Sequence, residues 1–118
     1  MLSFHDNLKV YAYTQPTDMR KGINGLSGII REQLNFDPVD GSLFMFVNRS
    51  RNRMKLLHFA NGGFWLYYRV LEAGTFEELN GDGNSHHLQL DATELSMLLS
   101  GVSLAQSQKR RKRFTLAG

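Results

Sequence analysis

A chain of 118 residues has room for one domain, and with 42% hydrophobic and 21% charged residues it lies in the globular range, which excludes wholesale disorder. It has no cysteine, which excludes a disulfide framework, a thiolate metal site and a cysteine nucleophile, and which suits a reducing compartment. The net charge of +3 divides unevenly: Lys109, Arg110, Arg111, Lys112 and Arg113 are all cationic, leaving nine Lys and Arg against eleven Asp and Glu elsewhere, so the rest of the chain carries about −2.

Met1 to Asn7 has neither a basic start nor a long apolar run, so no signal peptide is expected. No window approaches the roughly 18 apolar residues of a membrane span. The expected location is cytoplasmic, without membrane association.

Leu8 to Tyr13 alternates and is rich in β-formers, which predicts a strand. Gln15-Pro16-Thr17-Asp18 breaks it, with Thr17 or Asp18 placed to cap a helix over 19–34. In that helix Met19, Ile23, Leu26, Ile30 and Leu34 form the core-facing stripe, and Arg20, Asn24 and Arg31 the wet side. Gly22, Gly25 and Gly28 each cost a helix about 1 kcal/mol, so another backbone is expected to approach along their ridge. After the turn at 37–41, Ser42 to Asn48 is almost wholly apolar and reads as a central strand covered on both faces. Strands over 53–60 and 64–70 are joined by Asn61-Gly62-Gly63, a hairpin signal whose register stays open between Asn-Gly and Gly-Gly. A weak strand follows near Phe76, then a polar loop over 80–84 and a short strand over 86–90. Asp91-Ala92-Thr93-Glu94 has the layout of a capping box, with Leu95, Leu98 and Leu99 at helical spacing and Gly101 as the stop. The expected fold is α+β, a mostly antiparallel sheet of about five strands with two helices on one face. Residues 1–102 form the expected domain, and 103–118 a flexible basic tail.

Arg49, Arg51, Arg53 and Lys55 crowd the junction of two strands without interleaved acids, and guanidinium forks suit phosphate. The plainer reading is a solvated hairpin connection with locally paired arginines. Trp65, Tyr67 and Arg69 share one strand face, an arrangement that serves a core, a partner interface or base stacking on single strands. The run 109–113 suits sequence-independent contact with nucleic acid.

Catalytic patterns are missing. The adjacent His86 and His87 point to opposite faces of a strand and cannot jointly hold a metal. Asp18, Asp37, Asp40 and Asp82 lie in expected caps or turns. The spacing Gly22-x-x-Gly25-x-x-Gly28 lacks the lysine of a phosphate loop. No enzyme activity, cofactor or metal is expected.

Thr17-Asp18-Met19-Arg20-Lys21-Gly22 with Gly25-Leu26 resembles the signature of a family of small accessory proteins, TnpB/Orf2-like, encoded by bacterial transposable elements of the insertion-sequence-66 type. The resemblance continues through Leu43-Phe44-Met45-Phe46, Asn48-Arg49 with Arg53-Met54-Lys55-Leu56-Leu57, and Gly63-Phe64-Trp65-Leu66-Tyr67-Tyr68-Arg69. It resumes at Leu71-Glu72-x-Gly74-x-Phe76 and closes on Leu95, Met97, Leu98, Leu99 and Gly101, covering roughly residues 8–101. Two departures stand out: Arg69-Val70-Leu71-Glu72 replaces the family's Lys-Arg-Leu-Glu, and Glu77-Glu78 stands where an aromatic-proline pair is usual. The resemblance implies a non-catalytic helper acting in transposition beside a separate transposase. Transposon DNA and the transposase are the expected partners, with homodimerisation left open. Arg49, Arg51, Arg53, Lys55 and 109–113 are the expected DNA contacts, and Arg20, Asn24, Arg31, Trp65, Tyr67 and Arg69 a candidate interaction surface. The alternatives are a pure protein-interaction module, using the aromatic face and the glycine ridge, and a single-strand binder using the aromatic strand.

Overall fold

The apolar run at 43–47 has side chains for two cores, and the fold is built around it. A computed structural model describes residues 7–81, 83, 85–101 and 104. The elements are β1 (Val10–Tyr13), α1 (Ile23–Glu32), β2 (Leu43–Val47), β3 (Arg53–Ala60), β4 (Gly63–Val70), β5 (His87–Leu90) and α2 (Ala92–Leu99). The strands form one five-stranded sheet in the order β4-β3-β2-β1-β5. β1 and β2 are parallel, as their crossover through α1 requires, and the other neighbours are antiparallel. This is the mostly antiparallel α+β sheet that the sequence predicts.

The helices do not share a face. Phe44 and Phe46 of β2 join Leu57 beneath Leu26 and Ile30 of α1, with Leu34 closing the cluster. Leu43 and Met45 of the same strand join Val10, Met54 and Leu56 beneath Leu95 and Leu98 of α2. A strand apolar on both sides needs cover on both, so the expectation of two helices on one face gives way to a sheet between helices. Leu104 also packs into the second cluster, and its N–H donates to the Glu77 carboxylate at 2.9 Å.

α1 starts at Ile23, four residues after the predicted Met19. Asp18 does not cap it. Its Oδ1 accepts the Arg20 N–H at 2.9 Å, and its carbonyl accepts the Lys21 N–H at 3.1 Å, so 18–21 is a turn. Extended Gly22 then stands at the N-cap without a side-chain cap bond, and Ile23 is 37% exposed instead of lying in the core stripe. At the other end Asn35 takes the left-handed conformation, φ 57°, and the Phe36 N–H reaches back to the Ile30 carbonyl. The glycine ridge packs against no other backbone: a Cβ at Gly22 or Gly28 would meet nothing within 4 Å, and one at Gly25 would meet only the Lys21 side chain. The expected close approach is absent there.

Local chemistry sets the other joints as predicted. Asn61 and Gly62, φ 54° and 79°, form the two-residue turn, and Ala60 pairs with Gly63, which settles the register on Asn-Gly. Asp91 and Glu94 bond each other's backbone N–H groups in a complete capping box, and Gly101 turns left-handed just beyond α2. No strand forms near Phe76. Its N–H makes one bond, to the Arg51 carbonyl at 2.7 Å, and its ring is buried in the core.

Candidate nucleic-acid interface

Parallel pairing of β1 with β2 leaves the chain after β1 beside the end of β2, where the Thr17 N–H donates to the Val47 carbonyl at 2.9 Å. The turn at 18–21 thereby meets the connection between β2 and β3. An open cleft of about 820 Å³ lies between them, lined by Asp18, Arg20, Arg49, Ser50, Arg53 and Tyr68 among others. Residues far apart in the chain thus share one site.

Asn48 organises the far wall. Its side-chain carbonyl accepts from the N–H groups of Asn52 and Arg53, both at 3.0 Å, while its amide donates to the Asn52 side chain at 2.7 Å. This web holds exposed Arg49 and Arg53 at the cleft, and the Arg53 guanidinium donates to the Tyr68 hydroxyl at 3.2 Å. On the near wall the Arg20 guanidinium grips both oxygens of Asp18 at 2.8–3.2 Å. The Arg20 side chain stays 92% exposed. Those hydrogen bonds, with the Arg20 N–H second, hold the Asp18 carboxyl down to about 2 from 3.8.

The predicted cation cluster is divided. Arg51 sits in the left-handed region, φ 56°, and turns away to pair with Glu78 at 3.2 Å, on the wall of a neighbouring hollow of about 580 Å³. Lys55 is only 9% exposed; its ammonium donates to the Lys21 carbonyl at 2.8 Å and lies 5.1 Å from the centre of the Tyr68 ring. Strand parity puts Lys55 on the face of Arg53, but its ammonium is tied to the turn at Lys21 and it does not line the cleft.

Of the candidate interaction surface, Arg20 belongs to this cleft and not to a helix face. Asn24 and Arg31 lie exposed in the first and last turns of α1, outside the cleft lining. Trp65, Tyr67 and Arg69 share the opposite sheet face, where the Trp65 and Tyr67 rings stack at 6.3 Å and 8°. Tyr67 and Arg69 border a groove against Leu99 of α2. The run Lys109–Arg113 lies outside the described residues. Tyr68 is not among the candidates read from the sequence, although counting on from the Asn61-Gly62 turn places it opposite Lys55. Among the described residues no three His, Asp or Glu side chains are grouped to hold a metal ion, and no helix is long and apolar enough to cross a membrane.

Fold and cleft together define a small domain with a sheet between two helices and a cluster of exposed arginines at one end. Residues 8–109 match the model of the family described as IS66 Orf2 like protein. The chain belongs to that family, and so to the transposition-associated accessory proteins. It is similar to two proteins of Sinorhizobium fredii (strain NBRC 101917 / NGR234). It is 32% identical to the uncharacterized protein y4hO over 92% of this chain and 93% of the relative. It is 27% identical to the uncharacterized protein y4jC over 87% and 86%. No solved structure matches the chain.

Proposed function

We propose that the protein is a non-catalytic accessory factor that grips the phosphate backbone of the element's DNA while the transposase works on it. The observation that carries this reading is the convergence of Arg20, Arg49 and Arg53 on one open cleft with a single acid, Asp18, among them. Guanidinium forks bind phosphate oxygens in pairs, and groups fixed on a built loop impose orientation. Tyr68 adds a hydroxyl and an exposed ring to the same wall. The run 109–113 supplies a second contact that any duplex satisfies, because consecutive cations attract phosphate without reading sequence. The transposase is the protein partner in this reading, and it meets surfaces away from the cleft.

Fluorescence anisotropy on the element's terminal duplex and on random duplex tests the division of labour. Deleting residues 109–118 weakens both alike. Replacing Arg49 and Arg53 with alanine removes the preference for the terminal duplex with the tail intact. A preference unchanged by the double replacement excludes the cleft as the orienting contact.

A further inference from the structure

β4 is an edge strand of eight residues, twice the length of β5 at the other edge. Sheet proteins usually blunt such an edge with proline, lysine, a bulge or a covering segment. β4 has no proline or lysine, its pairing with β3 is unbroken from Ala60↔Gly63 to Arg53↔Val70, and its one charge is Arg69. Among the described residues no backbone group pairs with its outer side.

The ladder's parity says which groups face out. A two-residue hairpin makes Ala60 and Gly63 a hydrogen-bonded pair, so Gly63, Trp65, Tyr67 and Arg69 bond inward to β3. The Leu71 N–H, donated to the Asn52 carbonyl at 2.8 Å, keeps the same phase. Phe64, Leu66, Tyr68 and Val70 therefore offer their N–H and C=O groups outward. Trp65, Tyr68 and Val70 are also large apolar side chains left about half exposed, at 55%, 49% and 49%.

We infer that β4 pairs antiparallel with β4 of a second copy about a two-fold axis at Tyr67, joining the two sheets into one. Centring on Tyr67 sets Phe64 opposite the partner's Val70 and Leu66 opposite the partner's Tyr68, so every outward group on these residues is bonded. The same register sets Trp65 opposite the partner's Arg69, twice by symmetry, placing the strand's only cation against its largest ring. An acid in β4 would spoil that match, and there is none. A two-fold normal to the sheet keeps both α1 faces on one side, so the two arginine clefts face the same way. The pairing stands on β4 alone and does not depend on DNA contact.

Sedimentation velocity on the full chain reads the assembly, with a dimer at twice the 13.5 kDa chain mass. Trp65→Lys sets cation against cation and should raise the dimer dissociation constant at least tenfold. Adding Arg69→Glu in the same chain should restore it, because the new ammonium of one copy then meets the new carboxylate of the other. Within one strand the two positions stand about 13 Å apart, so the rescue has no intrachain route. The chain has no cysteine, which makes single cysteines clean register probes. Under oxidant Tyr67→Cys should cross-link to itself and Trp65→Cys should not. A monomer at all concentrations, a dimer indifferent to Trp65→Lys, or equal cross-linking at 65 and 67 overturns the inference. A monomer whose capture of transposase is lost with Trp65→Lys overturns it too, and assigns the edge to a strand of that protein.

Discussion

Lys55 donates its ammonium to the main-chain carbonyl of Lys21 across 2.8 Å, so a residue of the third strand fixes the chain just ahead of the first helix. The bond ties the turn that carries Arg20 to the strand that carries Arg53, two residues that line the arginine cleft. Lys55→Met keeps the length of the stem and leaves that carbonyl without its charged partner. It should destabilise the fold by about 1.5–3 kcal/mol in urea unfolding, while intrinsic DNA affinity measured well below the melting point should fall far less than for Arg49→Ala. Equal losses of affinity would place Lys55 among the phosphate contacts after all.

Much of the fold is legible in the sequence because its chemistry is local. Asn61-Gly62 specifies a turn with two positive φ values, and Asp91 with Glu94 specifies a helix start, whatever surrounds them. The start of α1 is not legible, because Asp18 has the same chemistry for a turn as for a cap, and the turn takes it. The face of α2 is hidden differently: the two-sided run Leu43–Val47 is visible, but its consequence, a helix on each side, emerges only once the sheet is assembled. The cleft itself depends on parallel pairing of Val10 with Leu43, a long-range event that no local pattern announces. The directions of Arg51 and Lys55 are hidden for the same reason. One follows from a left-handed backbone at the loop, the other from the turn that happens to lie above it.

Gly28 lies inside α1, and a methyl group placed on its Cα would meet nothing within 4 Å, so Gly28→Ala costs no overlap. Alanine's better helix propensity should raise stability by about 0.5–1 kcal/mol, read as a higher urea midpoint with unchanged slope. A loss instead would show that something packs on that ridge in solution.

Asp18 titrates where its partner dictates. Arg20 hydrogen bonds hold its carboxyl near 2, below the ordinary 3.8. A carboxyl depressed by folding stabilises the native state fully above its unfolded value and loses that contribution as pH falls through the folded one. The window is therefore 3.8 down to about 2. Carboxyl-carbon NMR should find the Asp18 midpoint near 2, rising in Arg20→Gln. An unmoved midpoint would break the pairing argument.

Asn48→Ala strips the acceptor from the Asn52 and Arg53 N–H groups and should cost about 1–3 kcal/mol in urea unfolding. Terminal-duplex affinity should drop as well, although no cation is lost, because Arg49 and Arg53 lose their fixed loop. Affinity unchanged at full stability would mean that orientation is irrelevant.

The salt dependence of duplex binding tests the central claim most directly. Each phosphate neutralised on B-DNA contributes about 0.9 to the slope of log K against log salt. Replacing Arg20, Arg49 and Arg53 together by alanine, with residues 109–118 present, should flatten that slope by roughly 2–3 units. An unchanged slope at unchanged affinity would contradict a DNA-gripping cleft and leave the transposase as the partner of these arginines.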